Sequence, residues 1–225
     1  MTAPEPEPDT TLLVIAKEPV PGRVKTRLVP PCTYAQAAAL AEAALADTLH
    51  AVAMVPARRH VLVLDGKPGP WLPAGFDIVA QCGGLLDERL AAAFAAVDGP
   101  ALLIGMDTPQ VTPDLLTVDW QAADAVFGPA ADGGFWALGM RAPDPGLLRG
   151  VPMSAPDTGA IQRARLVAAG LRVADLPELR DVDTAADALA VASQVPLSRF
   201  AARARELATP LNSSGMTETA LGETA

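Results

Sequence analysis

The stretch that decides the fold is TLLVIAKEPVPGRVKTRL, residues 11–28. Its first part, residues 11–16, is an apolar run without alternation, which indicates a strand buried on both faces of a parallel sheet. The rest is rich in proline and positively charged side chains and indicates a loop that leaves the end of this strand. A buried strand that opens into a polar loop favours an α/β protein, in which ligands bind at the carboxyl ends of the strands.

Outward from this stretch, short apolar runs alternate with longer segments rich in alanine and leucine. The further predicted strands cover residues 60–65, 76–81, 101–105, 124–129, 135–140 and 171–177. The predicted helices cover residues 34–55, 86–97 and 157–169, with a pair over 184–207. This alternation predicts one α/β domain over residues 11–208, with a Rossmann-like, mostly parallel mixed sheet flanked by helices. Residues 1–10 and 209–225 are poor in apolar side chains and are predicted to be disordered tails.

Composition narrows the class of protein. The formal net charge of −9 argues against nucleic-acid binding, which usually requires a basic face. No apolar run reaches the roughly 18 residues of a membrane span, and the acidic N-terminus lacks the features of a signal peptide, so a cytoplasmic location is expected. Cys32 and Cys82 have no CxxC partner and are predicted to be reduced, buried thiols. His50 and His60 lack metal-ligand spacing and are predicted to be structural.

The loop after the first strand is a candidate phosphate site. It places Lys17, Arg23, Lys25 and Arg27 close together in an acidic protein, and its prolines and Gly22 turn the backbone so that amides can face an anion. The alternative is a solvated basic loop without a ligand. The segment is not a Walker A loop, because Val24 precedes Lys25 where that motif needs glycine.

Two acidic segments are candidates for a metal site. Asp107 follows the apolar strand 101–105, where its carboxylate could hold Mg²⁺ or Mn²⁺; the alternative is that it caps a turn or a helix starting near Thr112. Asp181 and Asp183 are two residues apart, so both side chains share a face of an extended segment. Asp183 could complete the metal site with Asp107, or it could cap the helix that follows.

Glycine pairs mark two further candidate segments. Asp132, Gly133 and Gly134 lie between two predicted strands, and this pattern favours a hairpin turn, although the glycines would also allow close approach of a ligand. Gly83 and Gly84 open a predicted helix on the ligand side of the sheet.

In this order, the motifs AKxPxPGxVKTRL, QxGG, GxDxP, GPAxDGG and DVDT resemble a bacterial glycosyltransferase-A-like family of uncharacterised or unproven glycosyltransferases. That family is related to the guanylyltransferases that activate phosphoenolpyruvate or phospholactate in deazaflavin cofactor biosynthesis. The resemblance spans about residues 11–194 and implies a nucleotide-diphospho-sugar transferase fold. It also implies that the basic loop contacts nucleotide phosphates and that Asp107 and Asp183 bind metal. One segment departs from the family: MSAP, residues 153–156, stands where the family has a WSTP-like sequence.

The resulting hypothesis is a metal-dependent transferase with a nucleotide-activated donor, first of all a glycosyltransferase-A-type nucleotide-sugar transferase. The alternatives are a guanylyltransferase-like nucleotidyltransferase acting on a small phosphorylated acceptor, and a non-catalytic nucleotide-binding module. Lys25 and Asp107 are the predicted catalytic residues, and Asp132, Gly133, Gly134 and Ser154 are assigned to the donor or acceptor pocket. The predicted phosphate contacts are Ala16, Lys17, Pro21, Gly22, Arg23, Lys25, Arg27, Gly83 and Gly84. The expected partners are a nucleotide or nucleotide-sugar and a small-molecule acceptor, without nucleic acid, and a homodimer is compatible with the sequence.

Overall fold

The structure is a computed structural model that describes residues 9–208 of the 225-residue chain. Residues 1–8 and 209–225, which make up nearly all of the two predicted tails, lie outside the described residues. Within the described part, Thr10 contacts the domain, because its hydroxyl accepts a hydrogen bond from the Trp120 indole at 2.8 Å.

Strands and helices alternate along the chain as the sequence predicts. The strands are β1 (Thr11–Lys17), β2 (Arg59–Asp65), β3 (Phe76–Ala80), β4 (Ala101–Gly105), β5 (Ala125–Pro129), β6 (Phe135–Met140) and β7 (Val173–Asp175). The helices are α1 (Tyr34–Ala53), α2 (Leu86–Ala95), α3 (Thr158–Ala168), α4 (Ala185–Gln194) and α5 (Arg199–Ala208). The helix considered near Thr112 is only a 3₁₀ turn, Pro113–Leu116, and the last strand is shorter than predicted.

All seven strands form one sheet in the order β3-β2-β1-β4-β6-β5-β7. Six of them run parallel, and β6 runs antiparallel to both of its neighbours. Because β6 is reversed, its first residue, Phe135, lies at the edge of the sheet where β1 and β4 end. The predicted mostly parallel mixed sheet flanked by helices is confirmed.

The first strand is buried on both faces, which explains its lack of alternation. Leu12 and Val14 pack with α1 on one side of the sheet, and Leu13 packs with residues of α2 and α3 on the other. Full burial of such a side chain contributes roughly 1.5–3 kcal/mol to the free energy of folding. The two apolar layers therefore fix β1 in the centre of the sheet and hold the end of the strand in one place.

The C-terminal helices bring distant loops together. A third apolar cluster joins α1 to α4 and α5, and it includes Leu28 at the end of the basic loop and Val182 between Asp181 and Asp183. Both side chains are almost fully buried. Their packing in one cluster holds the basic loop and the acidic 181–183 segment side by side.

The structure also shows the surroundings of the cysteines and of His60, and the character of the helices. The prediction that both cysteines are buried is wrong: Cys82 is exposed and Cys32 is half-buried, because each lies in a loop at the surface of the domain. His60 is structural, since its Nε2 lies 3.0 Å from the backbone carbonyl of Val55. Among residues 9–208, none of the helices combines the length and the apolar character needed to cross a bilayer.

Candidate functional site

A cleft of about 670 Å³ opens where β1 and β4 end and β6 begins. This is the edge at which open α/β sheets bind their ligands. Most of the predicted site residues line the cleft, namely Ala16, Lys17, Arg23, Lys25, Arg27, Gly84, Asp107, Asp132, Gly134, Ser154 and Asp183. Pro21, Gly22, Gly83 and Gly133 are not among the lining residues.

Lys25 lies between the two carboxylates of the cleft that are nearest to the basic loop. It precedes a short 3₁₀ helix, Thr26–Leu28, and its backbone is left-handed with φ of 48°. Its side chain is only 7% exposed, and its Nζ lies 2.9 Å from Asp107 Oδ2 and 3.0 Å from Asp183 Oδ1. The ammonium group therefore bridges the two carboxylates that the sequence predicts as metal ligands.

The charge of Lys25 is maintained by these carboxylates. Burial of the side chain opposes the charged form, but the attraction of Asp107 and Asp183 outweighs it and raises the pKa of the ammonium above its ordinary value. Arg27 also reaches Asp183, with NH1 3.0 Å from Oδ2, but it is 74% exposed. Water screens that second pair, so the pair involving buried Lys25 is the stronger determinant of the local structure.

A backbone hydrogen bond holds Asp107 just beyond the end of β4. Its carbonyl accepts a hydrogen bond from the amide of Val182 at 3.1 Å, which ties the end of β4 to the acidic segment. Its Oδ1 is buried and has no hydrogen-bond partner among the described residues. The carboxylate thus keeps acceptor capacity that Lys25 does not use.

The fit of the site to a divalent ion can be judged from its donors. Asp107 and Asp183 offer carboxylate oxygens around one position, and that position holds the Lys25 ammonium. No group of three or more His, Cys, Asp or Glu side chains suited to a metal is found within residues 9–208. Mg²⁺ is often bound by one or two carboxylates together with water and substrate phosphates. The pair fits an ion of that kind, and not a metal enclosed by protein ligands alone.

Asp181 is a site residue that the sequence prediction did not assign. It lines the cleft, and its pKa is raised to about 7. Burial is the main cause, followed by repulsion from the carboxylates of Asp107 and Asp132, while Lys25 acts in the opposite direction. The sequence feature that could have identified Asp181 is its position two residues before Asp183, on the same face of an extended segment.

The turn between β5 and β6 confirms the predicted hairpin. The amide of Gly134 donates to Asp132 Oδ1 at 2.8 Å, and the two strands it joins are antiparallel. Gly133 has φ of 90°, and a Cβ there would clash with the carbonyl of Pro156. Its carbonyl accepts a hydrogen bond from the amide of Gly159 at 2.8 Å. Gly133 is therefore required for packing against the 153–156 segment.

One cation that lines the cleft, Arg89, was not assigned from the sequence. Arg89 on α2 places NH1 3.4 Å from Asp65 Oδ2, and Arg23 lies 3.8 Å from the other oxygen of Asp65. The Gln81 side chain donates to the Ala16 carbonyl at 2.7 Å and accepts from Arg89 NH1 at 3.3 Å. Gln81 thus ties Arg89 to the end of β1. The only hint in the sequence was a lone arginine one turn into the predicted helix.

Comparison with solved structures places the fold among nucleotide-using transferases. A protein of Desulfovibrio desulfuricans G20, provisionally named a nucleotide-diphospho-sugar transferase, is 27% identical to this chain with a TM-score of 0.81. The match covers 92% of this chain and 98% of that protein. No curated protein matches this sequence.

Two more distant structures share the fold. CMP:2-keto-3-deoxy-manno-octonic acid synthetase, in complex with CTP, is 13% identical with a TM-score of 0.53, and the match covers 88% of this chain and 99% of the synthetase. The 2-C-methyl-D-erythritol 4-phosphate cytidylyltransferase of Thermus thermophilus is 16% identical with a TM-score of 0.50, covering 89% and 99%. These likenesses support the nucleotide-diphospho-sugar transferase fold.

The family assignment comes from a sequence model. Residues 37–155 match the family described as "Uncharacterized protein conserved in bacteria (DUF2064)". The matched range contains Asp107, Asp132 and Ser154, whereas the basic loop and the 181–183 segment flank it. Because this range is more than half of the 225 residues, the chain belongs to that bacterial family.

Proposed function

We propose that this protein is a transferase that takes a nucleotide-activated donor, with glycosyl transfer from a nucleotide-sugar as its leading reaction. The observation that carries the proposal is the cleft at the strand ends, where a basic loop meets a pair of carboxylates bridged by Lys25. The fold shared with the Desulfovibrio protein supports the same class of reaction. No nucleophile with an adjacent base is evident among the described residues, which suits a reaction driven by positioning and charge neutralisation.

Phosphate binding is assigned to the cations that line the cleft. These are Lys17, Arg23, Lys25, Arg27 and Arg89. Lys17 makes no ion pair with any residue in the described range, so its charge is available to a ligand. Arginine forks and lysine ammonium groups both bind phosphate oxygens well. A diphosphate with about two negative charges would be accommodated by this group of cations.

Metal dependence belongs to the proposal. Asp107 and Asp183 would hold Mg²⁺ or Mn²⁺, and when bound the ion would neutralise the charge that develops on the leaving phosphate. The same two carboxylates hold Lys25 in the structure, so the ion and the ammonium group compete for them. Displacement from Asp107 and Asp183 would leave the Lys25 ammonium free to contact a phosphate oxygen of the donor.

The alternatives differ in their products. A nucleotidyltransferase, like the deazaflavin-pathway guanylyltransferases to which the resembled glycosyltransferase-A-like family is related, would release pyrophosphate from a nucleoside triphosphate. A glycosyltransferase would release a nucleoside diphosphate from a nucleotide-sugar. A non-catalytic module would bind one of these ligands and release nothing.

The test begins with thermal stability. The protein is screened against nucleoside triphosphates and nucleotide-sugars, each with Mg²⁺, with Mn²⁺ and with a chelator. A ligand at about 100 times its Kd stabilises the folded protein by roughly 2.7 kcal/mol. We expect one nucleotide class to stabilise in a metal-dependent way, and Lys17→Met to weaken this effect. The stabilising compound is then incubated with candidate acceptors, and the released phosphate species is identified. No stabilisation by any nucleotide in the presence of metal would contradict the proposal.

A further inference from the structure

The cations and the carboxylates that line the cleft come from different segments of the chain. We define the donor half as the lining residues from 15–27 and 81–90, and the acceptor half as those from 103–183. The donor half contributes all five cations, Lys17, Arg23, Lys25, Arg27 and Arg89, and no acid. The acceptor half contributes all four carboxylates, Asp107, Asp132, Asp181 and Asp183, and no lysine or arginine among the described lining residues. The two halves meet where Lys25 and Arg27 pair with Asp107 and Asp183, whereas Asp132 pairs with no cation of the described residues.

The topology of the sheet explains this division. The donor half follows β1 and precedes or starts α2. The acceptor half follows β4, precedes β6 and includes the loop before α3 and the segment before α4. In the sheet order, β4 separates β1 from β6. Asp107, at the end of β4, therefore lies on the border between the two halves, where the bond to the donor would be broken.

The acceptor half also has an apolar wall. Phe135 and Met153 line the cleft, are only partly buried, and pack on the apolar layer formed by α2 and α3. Ser154 beside them is held in a left-handed conformation with φ of 62°. Such a conformation is unfavourable for a non-glycine residue and persists only where the surroundings fix it. The 153–156 segment is fixed by Gly133, which leaves no space for a side chain beside the backbone of Pro156.

We propose that the acceptor of this transferase is a neutral or positively charged small molecule with an apolar portion, and not a phosphorylated one. The inference rests on the proposed function, because it takes the cationic half as the donor site. A phosphate group beside Asp132 would face a carboxylate that forms no ion pair with a lysine or arginine of the described residues, and like charges repel. An apolar portion would remove Phe135 and Met153 from water.

Two dyes with one fluorophore and opposite charge test the proposal. Dansylcadaverine carries an ammonium group and dansylglycine a carboxylate. Their Kd values are measured by fluorescence with saturating nucleotide and metal, so that the cationic half is occupied. We expect dansylcadaverine to bind at least tenfold more tightly, a difference of about 1.4 kcal/mol. Tighter or equal binding of dansylglycine, or no saturable binding of either dye, would overturn the proposal.

Substitutions inside and outside the cleft show whether the dye binds in the acceptor half. Met153→Lys adds a cation to the acceptor half and is expected to weaken dansylcadaverine at least tenfold, whereas Leu197→Lys, at a side chain 99% exposed and outside the cleft, should change its Kd less than twofold. Asp132→Asn keeps the Oδ1 acceptor for Gly134 and should reduce the preference for the cationic dye. Unchanged dye binding in both cleft variants would count against the proposal.

A separate nucleotide measurement distinguishes failure of the acceptor inference from failure of the proposed function. Thermal stabilisation by nucleotide is recorded on the same preparations. If nucleotide stabilises the protein but the anionic dye is preferred, the acceptor inference fails and the proposed function stands. If nucleotide has no effect but the cationic dye binds and responds to Met153→Lys, the proposed function fails and the charge division of the cleft stands.

Discussion

The ammonium nitrogen of Lys25 lies 2.9 Å from Asp107 Oδ2, although the two residues are 82 positions apart in the chain. The same nitrogen lies 3.0 Å from Asp183, so one buried cation joins the basic loop, the end of β4 and the segment before α4. A divalent ion placed between the two carboxylates would replace this interaction. Lys25 is therefore both a structural group in the free protein and a candidate ligand for the donor.

Replacing Lys25 by methionine should separate these roles. In Lys25→Met the carboxylates of Asp107 and Asp183 face each other with only the exposed Arg27 beside Asp183. We expect a loss of about 1–3 kcal/mol in the free energy of unfolding measured in urea with a chelator present. Millimolar Mg²⁺ should restore part of this loss, because the ion can take the position of the ammonium group. The variant should also bind nucleotide weakly.

Lys17→Met is the matched control for this experiment. Lys17 lines the same cleft but is exposed, so its removal should change stability by no more than about 0.5 kcal/mol. Its nucleotide affinity should still fall. Equal stability of the two variants in chelator would show that the Lys25 bridge contributes little to folding.

Asp107→Asn should abolish metal-dependent nucleotide binding while leaving the fold intact. The amide keeps the size of the side chain but removes the negative charge that a divalent ion requires. Calorimetric titration with nucleotide, with and without Mg²⁺, measures the effect, and circular dichroism confirms the fold. Asp114→Asn, at an exposed position outside the cleft, should behave like the original protein. Normal metal-dependent binding by Asp107→Asn would remove Asp107 from the proposed metal site.

Much of the fold was predictable because it depends on local patterns. The continuous apolar run at 11–16 indicated a strand buried on both faces, and Leu12 and Leu13 are indeed buried in opposite layers. The hairpin at Asp132 followed from its turn residues. The reversal of β6 within the sheet is the consequence of that short turn, since a connection this short joins antiparallel strands.

The site was less predictable because its contacts join distant segments. The sequence identified Lys25 and Asp183, but their 158-residue separation hides the ion pair between them. The sequence put Asp181 on the same face as Asp183 but did not show that this face is turned into the cleft, because its direction depends on how the segment is anchored. Two backbone hydrogen bonds anchor it, from Ala131 to the Leu179 carbonyl at 2.9 Å and from Val182 to the Asp107 carbonyl at 3.1 Å.

The raised pKa of Asp181 predicts a pH-dependent stability. Its value of about 7 in the folded protein, against an ordinary 3.8, means that the folded state binds the proton more tightly than the unfolded state between these pH values. Stability contributed by the protonated group is therefore full below about pH 4 and is lost as the pH rises towards 7. Asp181→Asn removes this loss, and we expect the variant to be more stable than the original protein at about pH 8, by on the order of 1–3 kcal/mol.

Urea unfolding at about pH 4.5 and about pH 8, in a chelating buffer, checks the Asp181 prediction. The gain should be much smaller at the lower pH, where the carboxyl group of the original protein is protonated and resembles the amide. Asp98→Asn, at an exposed position outside the cleft, supplies the comparison and should show no such pH-dependent gain. A gain of the same size at both pH values would contradict the assigned protonation.

Gly133 and Gly170 offer a matched pair for testing how the acceptor half is built. Both have positive φ, 90° and 80°, so alanine at either site adopts a left-handed conformation at a cost of about 1–2 kcal/mol. A Cβ at Gly170 meets no atom within 4 Å, whereas one at Gly133 would clash with the Pro156 carbonyl. We therefore expect the free energy of unfolding in urea to fall in Gly170→Ala only by the cost of the left-handed conformation. In Gly133→Ala it should fall by roughly 1–3 kcal/mol more. Gly133→Ala should also weaken dansylcadaverine binding, because Met153 and Ser154 move with Pro156. Equal losses in the two variants would mean that the 153–156 segment yields freely and that Gly133 does not position the wall of the cleft.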